Sequence, residues 1–168
     1  MQIIALTERL RIREFTPDDA PFVFQLLNSP AWLEFIGDRN IRTLEQARNH
    51  IINFYVPSYQ KYGFGAWQVE LIDSNLPIGL ACIIKRDELD LPDIGYGFLT
   101  EFEGNGYAYE ATLAIIEYAK TTLKLPKITA FTTKENLKSI RLMEKVGLKY
   151  RKTIFLNNDP QPLLYYTD

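Results

Sequence analysis

Two glycines one residue apart, Gly104 and Gly106, lie in the stretch EFEGNGYAYEA (Glu101–Ala111), directly before a helical pattern. A short glycine loop at a helix start lets the backbone approach a ligand closely. It also aims free N–H groups and the positive end of the helix dipole at one point. Such a point binds phosphate without any basic side chain. Two phosphate loops are excluded by the residues around the glycines. A nucleoside-triphosphate loop needs Gly-Lys-Ser/Thr, and this stretch contains no Lys. A dinucleotide loop needs a third glycine where Tyr109 stands and comes after the first strand of a βαβ unit, whereas this loop lies past the middle of the chain. A second glycine pair, Gly95 and Gly97, interrupts the apolar run DIGYGFL just upstream and marks a bulge or a close backbone approach. Carboxylates able to act as a base stand near strand patterns at Glu70, Asp93 and Glu101.

The elements that must position these groups alternate between α and β. RLRIREF (Arg9–Phe15) alternates polar and apolar and reads as a half-buried strand. TPDDAPFVFQLL comes next, with Thr16 as N-cap, Pro17 at the first helical position and Pro21 keeping the helix short or irregular. A second helix begins at TLEQ, where Thr43 and Gln46 have capping-box spacing, and is expected to end near Tyr55. GAWQVELI and PIGLACIIK flank the turn cluster DSNLP as an antiparallel hairpin, and Asp93–Leu99 makes the next strand. A helix over about Tyr107–Thr122, the strand KITAFT, the helix NLKSIRLMEKV closed by Gly147 and two C-terminal strands complete the chain. This is an α+β order with one parallel crossover over a single domain, residues 1–168.

With 168 residues, 46% hydrophobic and 24% charged, the composition is that of an ordinary globular domain. A net charge of −2 argues against broad nucleic-acid binding, and no apolar run reaches membrane-spanning length. The first residues carry charge by position 8 and lack a signal-peptide core, so a cytoplasmic location is expected. The lone Cys82 excludes an internal disulfide and reads as a core thiol, and His50 reads as structural. No His/Cys/Asp/Glu grouping has metal-ligand spacing, so no metal is expected.

TERLRIREFTPDDA, DIGYGFL, EGNGYAYEA and NLKSIRLMEKVGLK, in that order, resemble the GNAT superfamily of N-acetyltransferases from Thr7 to about Lys152. The likeness is greatest to the ribosomal-protein N-terminal acetyltransferases of the RimJ/RimL type. It implies a GNAT fold: a mostly antiparallel sheet of six to seven strands with a splayed parallel pair, flanked by about four helices. It also implies acetyl-CoA as cosubstrate, with its pyrophosphate on Glu103, Gly104, Asn105, Gly106, Tyr107 and Ala108. The family loop reads Gln/Arg-x-x-Gly-x-Gly/Ala, so Gly106 and Ala108 match while Glu103 departs. Free amides near Phe98 and Leu99 would meet the thioester and its arm, and Asn136 would bond the pantetheine region.

Many relatives place a tyrosine where this chain has Met143, and Ser139 is the nearest replacement for assisting the leaving thiolate. Asp93 and Tyr96 complete the expected catalytic group. The acceptor, a primary amine, is expected between Ser29–Thr43 and the strand bearing Tyr96, with Trp32, Phe35 and Tyr96 lining its pocket. Asp38, Glu34 and Asp93 would attract a cation there. A degenerate acyl-CoA-binding sensor is the alternative that Glu103 and Met143 leave open. A homodimer through an exposed C-terminal strand edge is a further expectation.

Overall fold

The computed structural model describes residues 1–157 and 159–168. Among the described residues eight strands form one sheet: β1 (Ile3–Leu6), β2 (Leu10–Glu14), β3 (Ala66–Leu71), β4 (Pro77–Ile84), β5 (Asp93–Phe98), β6 (Thr129–Thr132), β7 (Lys149–Ile154) and β8 (Leu163–Thr167). Their spatial order is β1-β2-β3-β4-β5-β6-β8-β7. Neighbours run antiparallel except β5 and β6. The helices are α1 (Ala20–Leu27), α2 (Pro30–Phe35), α3 (Leu44–His50), α4 (Val56–Tyr62), α5 (Tyr107–Thr121) and α6 (Leu137–Lys145). Among the described residues no helix is long and apolar enough to cross a membrane.

The strand count exceeds the expected six to seven because β1 adds an edge strand. Its residues, IIAL, show no alternation, since edge pairing to β2 is made by the main chain while both faces stay partly exposed. The helix opened by the Thr43 capping box also runs further than expected. Thr43 Oγ1 accepts from Gln46 N–H at 3.1 Å, and the rod continues through α3, a π-helical turn over Ile51–Tyr55, and α4 to Gly63. The widened turn falls directly before Pro57, which has no N–H to give an i−4 carbonyl. Gly63, at φ +74, closes the rod by donating to the Tyr59 carbonyl at 3.0 Å.

Helices cover both faces. Trp67, Val69, Ala81, Ile83, Ile94 and Phe98 pack with Ala111, Ile115 and Ala119 of α5. Ala66, Leu80 and Cys82 face the other way, toward Leu26, Leu27, Trp32, Ala47 and Ile51 of α1–α3 and the π-turn. β3 and β4 are therefore buried on both sides; β4 (PIGLACII) reads as a near-continuous apolar run, while β3 buries Gln68 and Glu70 as well. The exposed strand edge expected near the C-terminus is supplied by β7 and not by the last strand, β8, which lies between β6 and β7.

Candidate active site

β5 and β6 meet in register only at Asp93 opposite Thr129, where Thr129 N–H donates to the Pro92 carbonyl at 3.0 Å. From there the strands diverge. On the other side of β5, Leu99 N–H donates to the Ile78 carbonyl at 3.0 Å. Antiparallel pairing alternates, so residues 97 and 95 also address β4, while the amides of Phe98 and Tyr96 turn toward the gap. Leu99 is thus corrected: its amide is already bonded, and its side chain, 5% exposed, belongs to the α1–α3 core. The glycines of β5 serve packing. A Cβ on Gly97 would stand 2.7 Å from the Trp32 ring, and one on Gly95 would meet Cys82 Sγ at 3.1 Å.

The glycine loop closes one end of the gap. Gly104 and Gly106 have φ of +78° and +81°, a region open to glycine at little cost. Nothing lies within 4 Å of a Cβ on Gly104, and α5 starts at Tyr107 with no capping side chain, so its first amides remain free for an anion. These features fit the pyrophosphate of a coenzyme. Arg9 braces the loop from behind: its Nη1 donates to the Asn105 carbonyl at 3.0 Å and its Nη2 pairs with Glu110 at 2.6 Å. Asn105 itself does not line the cleft; its Nδ2 folds back to the Glu103 carbonyl at 3.1 Å. Glu103 does line it, with Oε2 bonded to Lys138 Nζ at 2.6 Å.

Phe98, Gly104, Gly106, Tyr107, Ala108, Asn136, Ser139 and Tyr96 line one continuous cleft with Trp32, Phe35 and Asp93. Its volume is about 1750 Å³, larger than the roughly 300–1,000 Å³ of a single-ligand pocket and roomy enough for two substrates. Asn136 caps α6, its Oδ1 accepting from Ser139 N–H at 3.1 Å, which sets the serine on the first turn facing the cleft. Burial pushes the Tyr96 phenol up, and the adjacent Ser139 hydroxyl pulls it back. Met143, one turn beyond Ser139, is 4% exposed and packs into the core.

The candidate bases separate. Glu70 is buried on β3 and bonded by Arg11 at 2.7 Å and Arg13 at 3.0 Å, away from the cleft. Glu101 faces a different, shallow depression. Asp93 lines the cleft at its closed end, 3% exposed, with its carboxyl pushed up to about 6 by burial against the pull of Arg86 at 2.8 Å. On the acceptor side Asp38 is paired with Arg42 rather than free. His50 lines the cleft, 4.9 Å from the rings of Phe54 and Tyr55, with its pKa lowered by burial and by Arg39. Cys82 is buried, its thiol pushed up to about 12.

Two residues escaped the sequence reading. Lys138 is one. Thr112 is the other, a buried hydroxyl on the cleft wall with no protein partner. Its only signal was a polar residue one turn beyond Ala108 on an otherwise apolar helix side.

Residues 9–149 match the acetyltransferase (GNAT) domain family, and the chain belongs to that family. The curated protein YkkB of Bacillus subtilis (strain 168) is 30% identical over 158 residues, covering 92% of this chain and 90% of YkkB. The GNAT-family acetyltransferase structure from Bacillus anthracis superposes with a TM-score of 0.81 at 28% identity, covering 100% and 98% of the two chains. RimL, a ribosomal L7/L12 alpha-N-protein acetyltransferase in complex with coenzyme A, shares the fold at a TM-score of 0.84 and 17% identity, covering 99% and 97%. The protein is an acetyl-CoA-dependent N-acetyltransferase.

Proposed function

We propose that the chain, acting as one domain of the RimJ/RimL-like branch, transfers acetyl from acetyl-CoA to a peptide or protein N-terminal α-amine, by direct attack within a ternary complex. The observation that carries this reading is the continuity of the cleft. It joins the free N-terminus of α5, the unpaired side of β5 and the Ser139–Tyr96 pair in one space. Acetyl-CoA brings an activated thioester. The Gly104–Ala108 backbone holds its pyrophosphate, the amides of Tyr96 and Phe98 face the arm and carbonyl in the manner of an oxyanion hole, and Asn136 flanks the arm. Ser139, with Tyr96 beside it, donates to the departing sulfur.

The α-amine is favoured over lysine by protonation. Its reference pKa is about 7.7–8.0 against about 10.4, so near neutral pH it is free base more than about a hundredfold more often. That suits a cleft whose buried carboxylate, Asp93, is already tied to Arg86, while Asp38 stands outside the lining and pairs with Arg42. A polyamine would find Glu34 as the acceptor-side carboxylate of the lining. RimL, named for an alpha-N-protein activity, is consistent with the same substrate class.

The test is thiol release from acetyl-CoA with a panel of N-terminal peptides and with spermidine, alongside thermal shifts with acetyl-CoA, ATP and NAD. Peptide turnover with stabilisation by acetyl-CoA alone is expected. Ser139→Ala is expected to lower kcat by about 100-fold with KM for acetyl-CoA unchanged. Stabilisation by acetyl-CoA without turnover on any amine would sink the transferase reading and leave an acyl-CoA sensor. Faster turnover of spermidine would replace the peptide with a small amine.

A further inference from the structure

Resting on the proposed function, with acetyl-CoA in this cleft, we propose that Lys138 neutralises the coenzyme phosphates and that Glu103 holds it at the cleft lip until they arrive. The glycine loop needs a cation it does not itself carry. Position 103, next to the Gly104–Gly106 amides, holds a carboxylate, and that charge repels a pyrophosphate. Arg9 is near but committed: Nε and Nη2 both bond Glu110, Nη1 bonds Asn105, and the guanidinium covers the outer Tyr107 face at 4.5 Å. It stands outside the cleft lining.

Lys138 stands inside. It projects from the first turn of α6, on the opposite lip, and its Nζ already lies 2.6 Å from Glu103 Oε2. Its side chain is 83% exposed, so a rotation about its flexible stem is all that separates the carboxylate from a phosphate bound on the adjacent amides. Solvent screens an exposed pair of this kind, which leaves it easy to exchange. A phosphate carries more charge and more acceptor oxygens than the carboxylate it would displace. The rest of the helix supports the same field. Arg141 and Lys145 stand three and seven residues further on, spacings that keep one helix face, and both line the cleft. Lys145 sits 4.2 Å from the Tyr109 ring of α5, which bridges the two helices across the cleft mouth. Glu34 of α2 adds a second, more distant carboxylate to the Lys138 environment.

The Glu103–Lys138 pair is therefore a latch of exchangeable charge. The substitution at 103 is compensated from another helix, and only a ligand bearing phosphates opens the pair. The experiment measures Kd for acetyl-CoA and for S-acetylpantetheine, which lacks the phosphates, with the wild type, Lys138→Met and Glu103→Gln, across a range of salt. Lys138→Met is expected to weaken acetyl-CoA about tenfold and flatten its salt dependence while leaving S-acetylpantetheine within about twofold. Glu103→Gln is expected to tighten acetyl-CoA by a few fold. Unchanged acetyl-CoA affinity and salt dependence in Lys138→Met would overturn the proposal. So would weaker binding in Glu103→Gln, which would make the pair a brace for the loop. Failure of the wild type to bind acetyl-CoA at all would instead overturn the proposed transferase function.

Discussion

The two walls of the cleft are made of different materials. The wall proposed for the coenzyme (β5, the Gly104–Gly106 loop, and the first turns of α5 and α6) offers backbone: amides turned from β4, left-handed glycines and an uncapped helix start. The wall proposed for the acceptor (α2, the loop after it, and the rod running from Leu44 to Tyr62) offers side chains: Trp32 against Gly97, Tyr55 stacked on Phe15 at 5.0 Å, and His50 against two aromatic rings. A backbone site tolerates side-chain drift, so one loop can serve many relatives. A side-chain site changes with every substitution, and on the proposed reading that is where an acceptor preference would be set.

The contrast can be broken first at Trp32, where the walls touch. Trp32→Ala removes a buried indole and is expected to cost about 3–5 kcal/mol, read as a lower Tm, while surviving folded protein keeps its acetyl-CoA affinity and loses acceptor affinity. Equal loss of both affinities would mean the walls are not separable.

Asp93 comes next, at the hinge of the splay. Its folded pKa of about 6 exceeds the ordinary 3.8, so the fold holds this proton more tightly than the unfolded chain does. The linked stability, about 3 kcal/mol, is present below pH 4 and is lost as pH rises through 6. Stability measured from pH 4 to 7 should lose this component in Asp93→Asn, and parallel profiles would contradict it.

Gly106→Ala sharpens the comparison on the coenzyme side. A Cβ there meets only Arg9 Nη2 at 3.5 Å, an ordinary contact, so the penalty of about 1–2 kcal/mol comes from the +81° φ alone. Acetyl-CoA KM should rise with acceptor KM unmoved. Phe35→Ala gives the smallest effect. The side chain is 39% exposed, so Tm should move by less than about 2 °C while acceptor KM rises a few fold.

The same division explains what could be read from sequence. Gly104 and Gly106 announce themselves because a left-handed turn favours glycine, Ala108 stands out as a small residue in the first turn of α5, and α5 carries clear periodicity. Leu99 misled because strand alternation depends on its pairing with Ile78, twenty-one residues away. The continuation of the rod past Tyr55 was hidden by Pro57, an ordinary helix breaker that a widened turn absorbs. Glu70 looked like a free acid because Arg11 and Arg13 lie on a neighbouring strand, and Asp38 because Arg42, four residues on, meets it only through the fold of an irregular loop. Lys138 was invisible for the same reason: its partner is thirty-five residues back.

The place of β8 inside the sheet bears on how the enzyme comes into being. β6 is paired to β5 at one residue but to β8 at four, Thr129 to Thr167, Ala130 to Tyr166, Phe131 to Tyr165 and Thr132 to Leu164. The open side of the cleft is therefore held by the β7–β8 hairpin, which leaves a ribosome after every other strand described here. Until that hairpin docks, nothing in the sheet fixes β6 at its angle to β5. Acquisition of activity during refolding should accordingly track protection of the β8 amides from hydrogen exchange, not pairing of the β3–β5 strands.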